Sequence, residues 1–135
     1  MTFLKKILLV EYEPRVTAVV RRALEATGKY IVKEEHNCRL ALTAARFFQP
    51  DLVLIDVLMS RREGGAVARE LQADPSFKDT VVTFLSVNTS SSEGSVTSAG
   101  MLSGYSFFAN PVRIEEFVRY VAELLAPAAD KSAAG

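Results

Sequence analysis

The sequence predicts a doubly wound α/β domain, with a parallel five-stranded sheet and helices on both faces. Three observations carry this reading. Ile7-Leu-Leu-Val10, Leu52-Val-Leu-Ile55 and Val81-Val-Thr-Phe-Leu85 are short, nearly unbroken apolar runs, partly β-branched. Such runs mark strands buried on both faces, as in a parallel sheet. Amphipathic helical stretches alternate with them. Each run also stops at a polar residue: Glu11, Asp56 or Ser86.

In chain order, the first strand (7–10) leads through Glu11-Tyr12-Glu13 to Pro14, which suits the first turn of a helix because its missing N–H costs nothing there. Val16, Val19, Val20, Ala23 and Leu24 recur at helical spacing, and Gly28 supplies a stop. Tyr30 to Lys33 is short and β-branched, an expected edge strand, and His36-Asn37 marks a loop. Leu40, Ala41, Ala44, Ala45, Phe47 and Phe48 form the next helix, closed by Pro50. The central strand follows.

Ser60-Arg-Arg-Glu-Gly-Gly65 reads as a loop, with a short helix around Val67, Ala68 and Leu71 ending near Asp74-Pro75. After the strand at 81–85, Ser90 and Glu93 match a capping box, so a weak helix is expected from there toward Met101. Tyr105 to Ala109 is a last strand, halted by Asn110-Pro111, and Ile114, Phe117, Val118, Val121, Leu124 and Leu125 make the clearest amphipathic helix. Residues 1–126 thus read as one domain, and the Ala-rich 127–135 as a disordered tail or the stub of a linker.

Composition fits a single globular domain. The chain has 135 residues, 49% apolar and 24% charged, with 16 basic and 16 acidic side chains. The balanced charge and the lack of a basic block point away from nucleic acid. Cys38 is the only cysteine, which excludes an internal disulfide and suits a reducing, cytoplasmic setting. No apolar run approaches membrane-spanning length.

The carboxyl ends of strands in an open α/β sheet line the crevice where ligands bind. Glu11, Asp56, Ser86 and Asn110 all fall there. An unpaired buried carboxylate is too costly to serve a core, so Asp56 is the first candidate for chemistry. Lys6-Ile-Leu-Leu-Val-Glu-Tyr-Glu-Pro14, Asp51-Leu-Val-Leu-Ile-Asp-Val-Leu-Met59, Glu63-Gly64, Phe84-Leu-Ser86 and Asn110-Pro111 together resemble the receiver domains of two-component response regulators.

The resemblance implies a flavodoxin-like, CheY-like fold with strand order 2-1-3-4-5. It also implies a phosphorelay signalling role, in which a sensor histidine kinase phosphorylates an aspartate, here Asp56. Ser86 takes the place of the hydroxyl that bonds a phosphoryl oxygen, and Phe107 that of the aromatic switch residue. Protein partners, or a second copy of the chain, would dock on the face built by the fourth helix, fifth strand and last helix. Thr97, Tyr105, Arg113 and Arg119 are the surface positions expected there.

Two departures shape the expectation. The family carries two acids after its first strand, the second ligating Mg²⁺; here Glu11 is followed by Tyr12, a neutral phenol. By the resemblance Glu13 begins the first helix and should point away. Glu11 and Asp56 would leave only a weak Mg²⁺ site, since this hard cation wants several oxygen ligands in tight octahedral geometry. Asn110 stands where the family has a phosphate-clamping lysine, and an amide brings no full charge. Phosphoryl transfer depends mostly on positioning and charge neutralisation, so a degenerate receiver, a protein-interaction module rather than an enzyme, is expected.

The alternatives are a receiver with slow chemistry at Asp56 and, more remotely, a small enzyme of the flavodoxin or phosphatase type. The acidic Glu11-Tyr-Glu-Pro14 turn argues against flavin phosphate, and Leu58 occupies the place of the phosphatases' second aspartate. Arg61 and Arg62 read as solvated loop residues, and His36 and Cys38 as loop and packing residues.

Overall fold

The computed structural model describes residues 3–11, 14–56, 61–85, 99–102, 105–108 and 114–126. Its strands are β1 (Lys5–Val10), β2 (Tyr30–Glu35), β3 (Leu52–Asp56), β4 (Val81–Leu85), β5 (Ala99–Leu102) and β6 (Tyr105–Phe108). The helices are α1 (Pro14–Glu25), α2 (Ala41–Phe48), α3 (Arg61–Ala73) and α4 (Ile114–Leu124), with single 3₁₀ turns at Cys38–Leu40 and Pro75–Phe77. The sheet runs β2-β1-β3-β4-β6-β5, parallel except for the antiparallel β5–β6 pair. The expected order is therefore present, with β6 as its fifth strand and β5 added outside it.

The pleat sorts the apolar side chains into two layers. Leu8, Val10, Val53, Ile55, Val82 and Phe84 pack with α2 and α3 through Ala41, Ala44, Ala45, Ala68 and Leu71. Ile7, Leu9, Val32, Leu52 and Leu54 pack with α1 and α4 through Val20, Leu24, Phe117 and Val121. Because β3 is covered on both faces, every residue of Leu52–Asp56 is buried. Each such aliphatic side chain contributes about 1.5–3 kcal/mol of transfer free energy.

The elements end for local reasons. Pro14 opens α1 as expected. Gly28, at φ 75°, takes the left-handed conformation just beyond it, which costs glycine little. Gln49 is left-handed at φ 54° after α2 and donates from Nε2 to the Arg46 carbonyl at 3.0 Å. At the amino ends of the strands, Asp51 accepts from the Lys6 N–H at 2.8 Å and donates its own N–H to the Lys6 carbonyl at 2.8 Å. Its carbonyl accepts from Val81 N–H at 3.0 Å, so one residue fastens β1, β3 and β4. On the outer edge, the Val32 N–H of β2 donates to Glu25 Oε2 of α1 at 3.1 Å.

Three expectations are corrected. Residues 61–65 open α3 and are not a loop. Arg61, Arg62 and Glu63 are good helix formers, and burial of Val67, Ala68 and Leu71 offsets the roughly 1 kcal/mol that each glycine costs. Ala99 to Met101 belong to a strand, not to the end of a helix, because Ala99–Leu102 pairs back onto β6, Ala99 opposite Phe108 and Leu102 opposite Tyr105. The remainder of the expected helix, 90–98, lies outside the described residues. β2 runs two residues past Lys33, since Glu34 and Glu35 continue its pairing with Leu9 and Val10.

Candidate functional site

β1 and β3 deliver two carboxylates to one corner of the sheet. Val10 pairs with Ile55, so Glu11 stands beside Asp56 one step further along the same register. The alternation that turns Leu9 and Leu54 toward α1 and α4 turns Glu11 and Asp56 the same way. Both are buried, at 6% and 5% exposure. Leu85 of β4 pairs with Asp56 and with Phe108 of β6, so four parallel strands reach this rim.

Ser86, the residue after Leu85, lies outside the described residues, as do Tyr12, Glu13 and Asn110. Phe107 is in β6, paired with Phe84. Of the predicted site residues, the structure thus brings together Glu11 and Asp56. Arg61 and Arg62 are the first residues of α3.

Both polar groups of the Glu11 backbone are held by Glu35 and His36 at the end of β2. Its N–H donates to the Glu35 carbonyl at 3.0 Å, and its carbonyl lies 2.7 Å from His36 Nδ1. A carbonyl only accepts, so this nitrogen carries the hydrogen. His36 Nε2 lies 3.3 Å from Glu34 Oε1, an ion pair when the ring is doubly protonated. Glu34 in turn meets two side chains of α1. The buried Thr17 hydroxyl is 2.6 Å from Oε1, and Arg21 Nη1 is 3.3 Å from Oε2. Arg21 Nε also reaches Glu25 Oε1 at 3.3 Å, and these two carboxylates raise the Arg21 pKa. Burial pushes the Glu34 carboxyl up, but the Thr17 and Arg21 hydrogen bonds outweigh it and hold the group below its ordinary value.

Sequence reading missed this network. Its one local signal was the spacing Thr17, Arg21, Glu25, which lines one side of a helix facing an expected edge strand.

The donor chemistry fits a weakly held hard cation. Two buried carboxylates side by side supply the oxygen ligands that Mg²⁺ accepts, and this ion commonly keeps several waters and takes only one or two carboxylates. Among the described residues no group of three or more His, Cys, Asp or Glu side chains is placed to hold a metal ion. Nor is any described helix long and apolar enough to cross a membrane.

The sequence matches the response regulator receiver domain over residues 7–122. The chain belongs to this family of two-component signalling modules. Solved structures agree on the fold. The chemotaxis response regulator CheY4 of Vibrio cholerae superposes with a TM-score of 0.70 at 20% identity, covering 91% of this chain and 100% of that one. A response regulator from Thermotoga maritima gives 0.70 at 21% identity, covering 93% and 100%. One from Desulfuromonas acetoxidans gives 0.69 at 21%, covering 90% and 96%. At these identities the likeness establishes the fold alone. No curated protein matches the sequence.

Proposed function

We propose that this receiver domain is a degenerate one, which binds a protein partner and turns over phosphate at Asp56 slowly or not at all. The supporting observation is the make-up of the acid corner. Glu11 and Asp56 are buried together, while Tyr12 and Asn110 occupy the positions of the family's second acid and lysine. Bound Mg²⁺ would neutralise negative charge on a phosphoryl group. Here Glu11 and Asp56 would hold it, without the charge of a further acid.

Removing one preorganised charge-stabilising donor from a reacting site costs roughly 10²–10³ in rate. Two such losses acting on one charge slow acceptance by Asp56 at least that far. The partner surface is placed on the expected face, whose fifth strand and last helix are β6 and α4 here, and on α4 Arg119 is exposed and Tyr120 half-buried. Tyr105 belongs to β6, and Thr97 and Arg113 lie outside the described residues. A sensor kinase or a second copy of the chain fits such a role.

Family membership together with a buried acid at the β3 end favours a second reading, a working but slow phosphoacceptor. Incubation with acetyl phosphate and Mg²⁺, followed by intact mass measurement, separates the two. The first expects little or no adduct; a stoichiometric, hydroxylamine-labile adduct absent from Asp56→Asn establishes the second.

A further inference from the structure

We infer that His36 is a positioning residue for the acid corner, its Nδ1–H acting as one more rung of the β1–β2 ladder to hold Glu11 beside Asp56. This inference rests on the reading of Glu11 and Asp56 as a weak cation site.

Regular pairing of β1 ends at Val10, opposite Glu35. Glu11 lies one residue beyond, where a strand end would ordinarily fray. Its N–H is still taken by the Glu35 carbonyl at 3.0 Å, and its carbonyl meets the imidazole at 2.7 Å. Both polar groups of the Glu11 backbone are therefore satisfied from one side. That fixes the backbone of a residue whose carboxylate is buried and which stands beside Asp56 in the strand register.

The ring is itself braced. Nε2 is 3.3 Å from Glu34 Oε1, and Glu34 is gripped by the Thr17 hydroxyl at 2.6 Å and by Arg21 at 3.3 Å. A continuous chain of contacts thus runs from α1 through β2 to the backbone of Glu11. Groups that orient a metal ligand from outside commonly change metal affinity by 10–100-fold when removed. His36 acts on the ligand's backbone and not on its carboxylate, which places its effect at the low end of that range.

The test titrates the full chain with magnesium chloride alone and follows the backbone amide signals of Val10, Glu11, Ile55 and Asp56. Wild type should show a saturable shift. His36→Phe should weaken it about tenfold. His36→Asn, whose side-chain amide can donate to the same carbonyl, should retain wild-type affinity. Glu34→Gln, which leaves the ring in place but loosens it, should lie between them and serves if His36→Phe does not fold. Long-range proton–nitrogen spectra of wild type should show a protonated Nδ1.

Equal affinity in the Phe and Asn variants, or an unprotonated Nδ1, overturns the assignment. A wild type with no saturable magnesium response also overturns it while leaving the degenerate-receiver reading standing. A stoichiometric phosphoryl adduct would do the reverse.

Discussion

Glu34→Gln should destabilise the domain by about 1–2 kcal/mol at neutral pH, and the loss should vanish in acid. The isosteric amide keeps the shape of Glu34 and removes its charge. The Thr17 hydroxyl, buried and 2.6 Å away, exchanges a hydrogen bond to a charged acceptor for a neutral one. The usual values, about 1.5–3 against 0.5–1.5 kcal/mol, put that difference near 1 kcal/mol. The Arg21 pair, whose guanidinium side chain is 46% exposed, adds only about 0.2–1 kcal/mol. For a domain of this size the sum corresponds to roughly 3–8 °C in Tm.

The folded Glu34 carboxyl lies below its ordinary value of 4.5, so the unfolded chain binds the proton more readily than the native one. Its contribution is complete above that value and is lost as pH falls through the folded value. Thermal melts of both proteins at descending pH measure the gap. Identical melting at neutral pH, or a gap that persists undiminished in strong acid, refutes the reasoning.

Three further outcomes follow from the packing and the site. Phe117→Ala, at a position 2% exposed on the core side of α4, should cost about 3–5 kcal/mol in urea unfolding. Gly28→Ala should cost about 1 kcal/mol. No heavy atom lies within 4 Å of the added methyl, so the cost is backbone strain alone, and Gly28→Asn should recover part of it. Asp56→Asn should abolish any residual acetyl-phosphate adduct without loss of helical circular dichroism, because the acid contributes to the crevice and not to the apolar layers.

What the chain declares locally, it declares well. Ile7–Val10, Leu52–Ile55 and Val81–Leu85 are legible because strands covered on both faces carry almost no polar residues. The same runs locate Glu11 and Asp56 at the strand ends. The start of α3 was hidden by Gly64-Gly65, whose local cost is offset by burial one turn later. β5 was hidden because Ala99-Gly-Met-Leu102 contains no β-branched residue and follows a capping-box pattern; only pairing to β6 makes it a strand. Glu34 and Glu35 look like loop residues, yet an edge strand tolerates charge. The brace around Glu11 was the least legible, since Thr17 meets Glu34 and His36 meets Glu11 across 17 and 25 residues of chain. Such contacts exist only once α1 and β2 lie side by side.

The carboxylate that α1 lends to the outer strand has a consequence for self-association. A bare sheet margin invites another chain to add itself by main-chain bonding. With the Val32 amide already engaged by Glu25, an incoming strand would have to evict an acid that Arg21 also holds. Growth of the sheet past β2 is thereby discouraged by the molecule's own first helix.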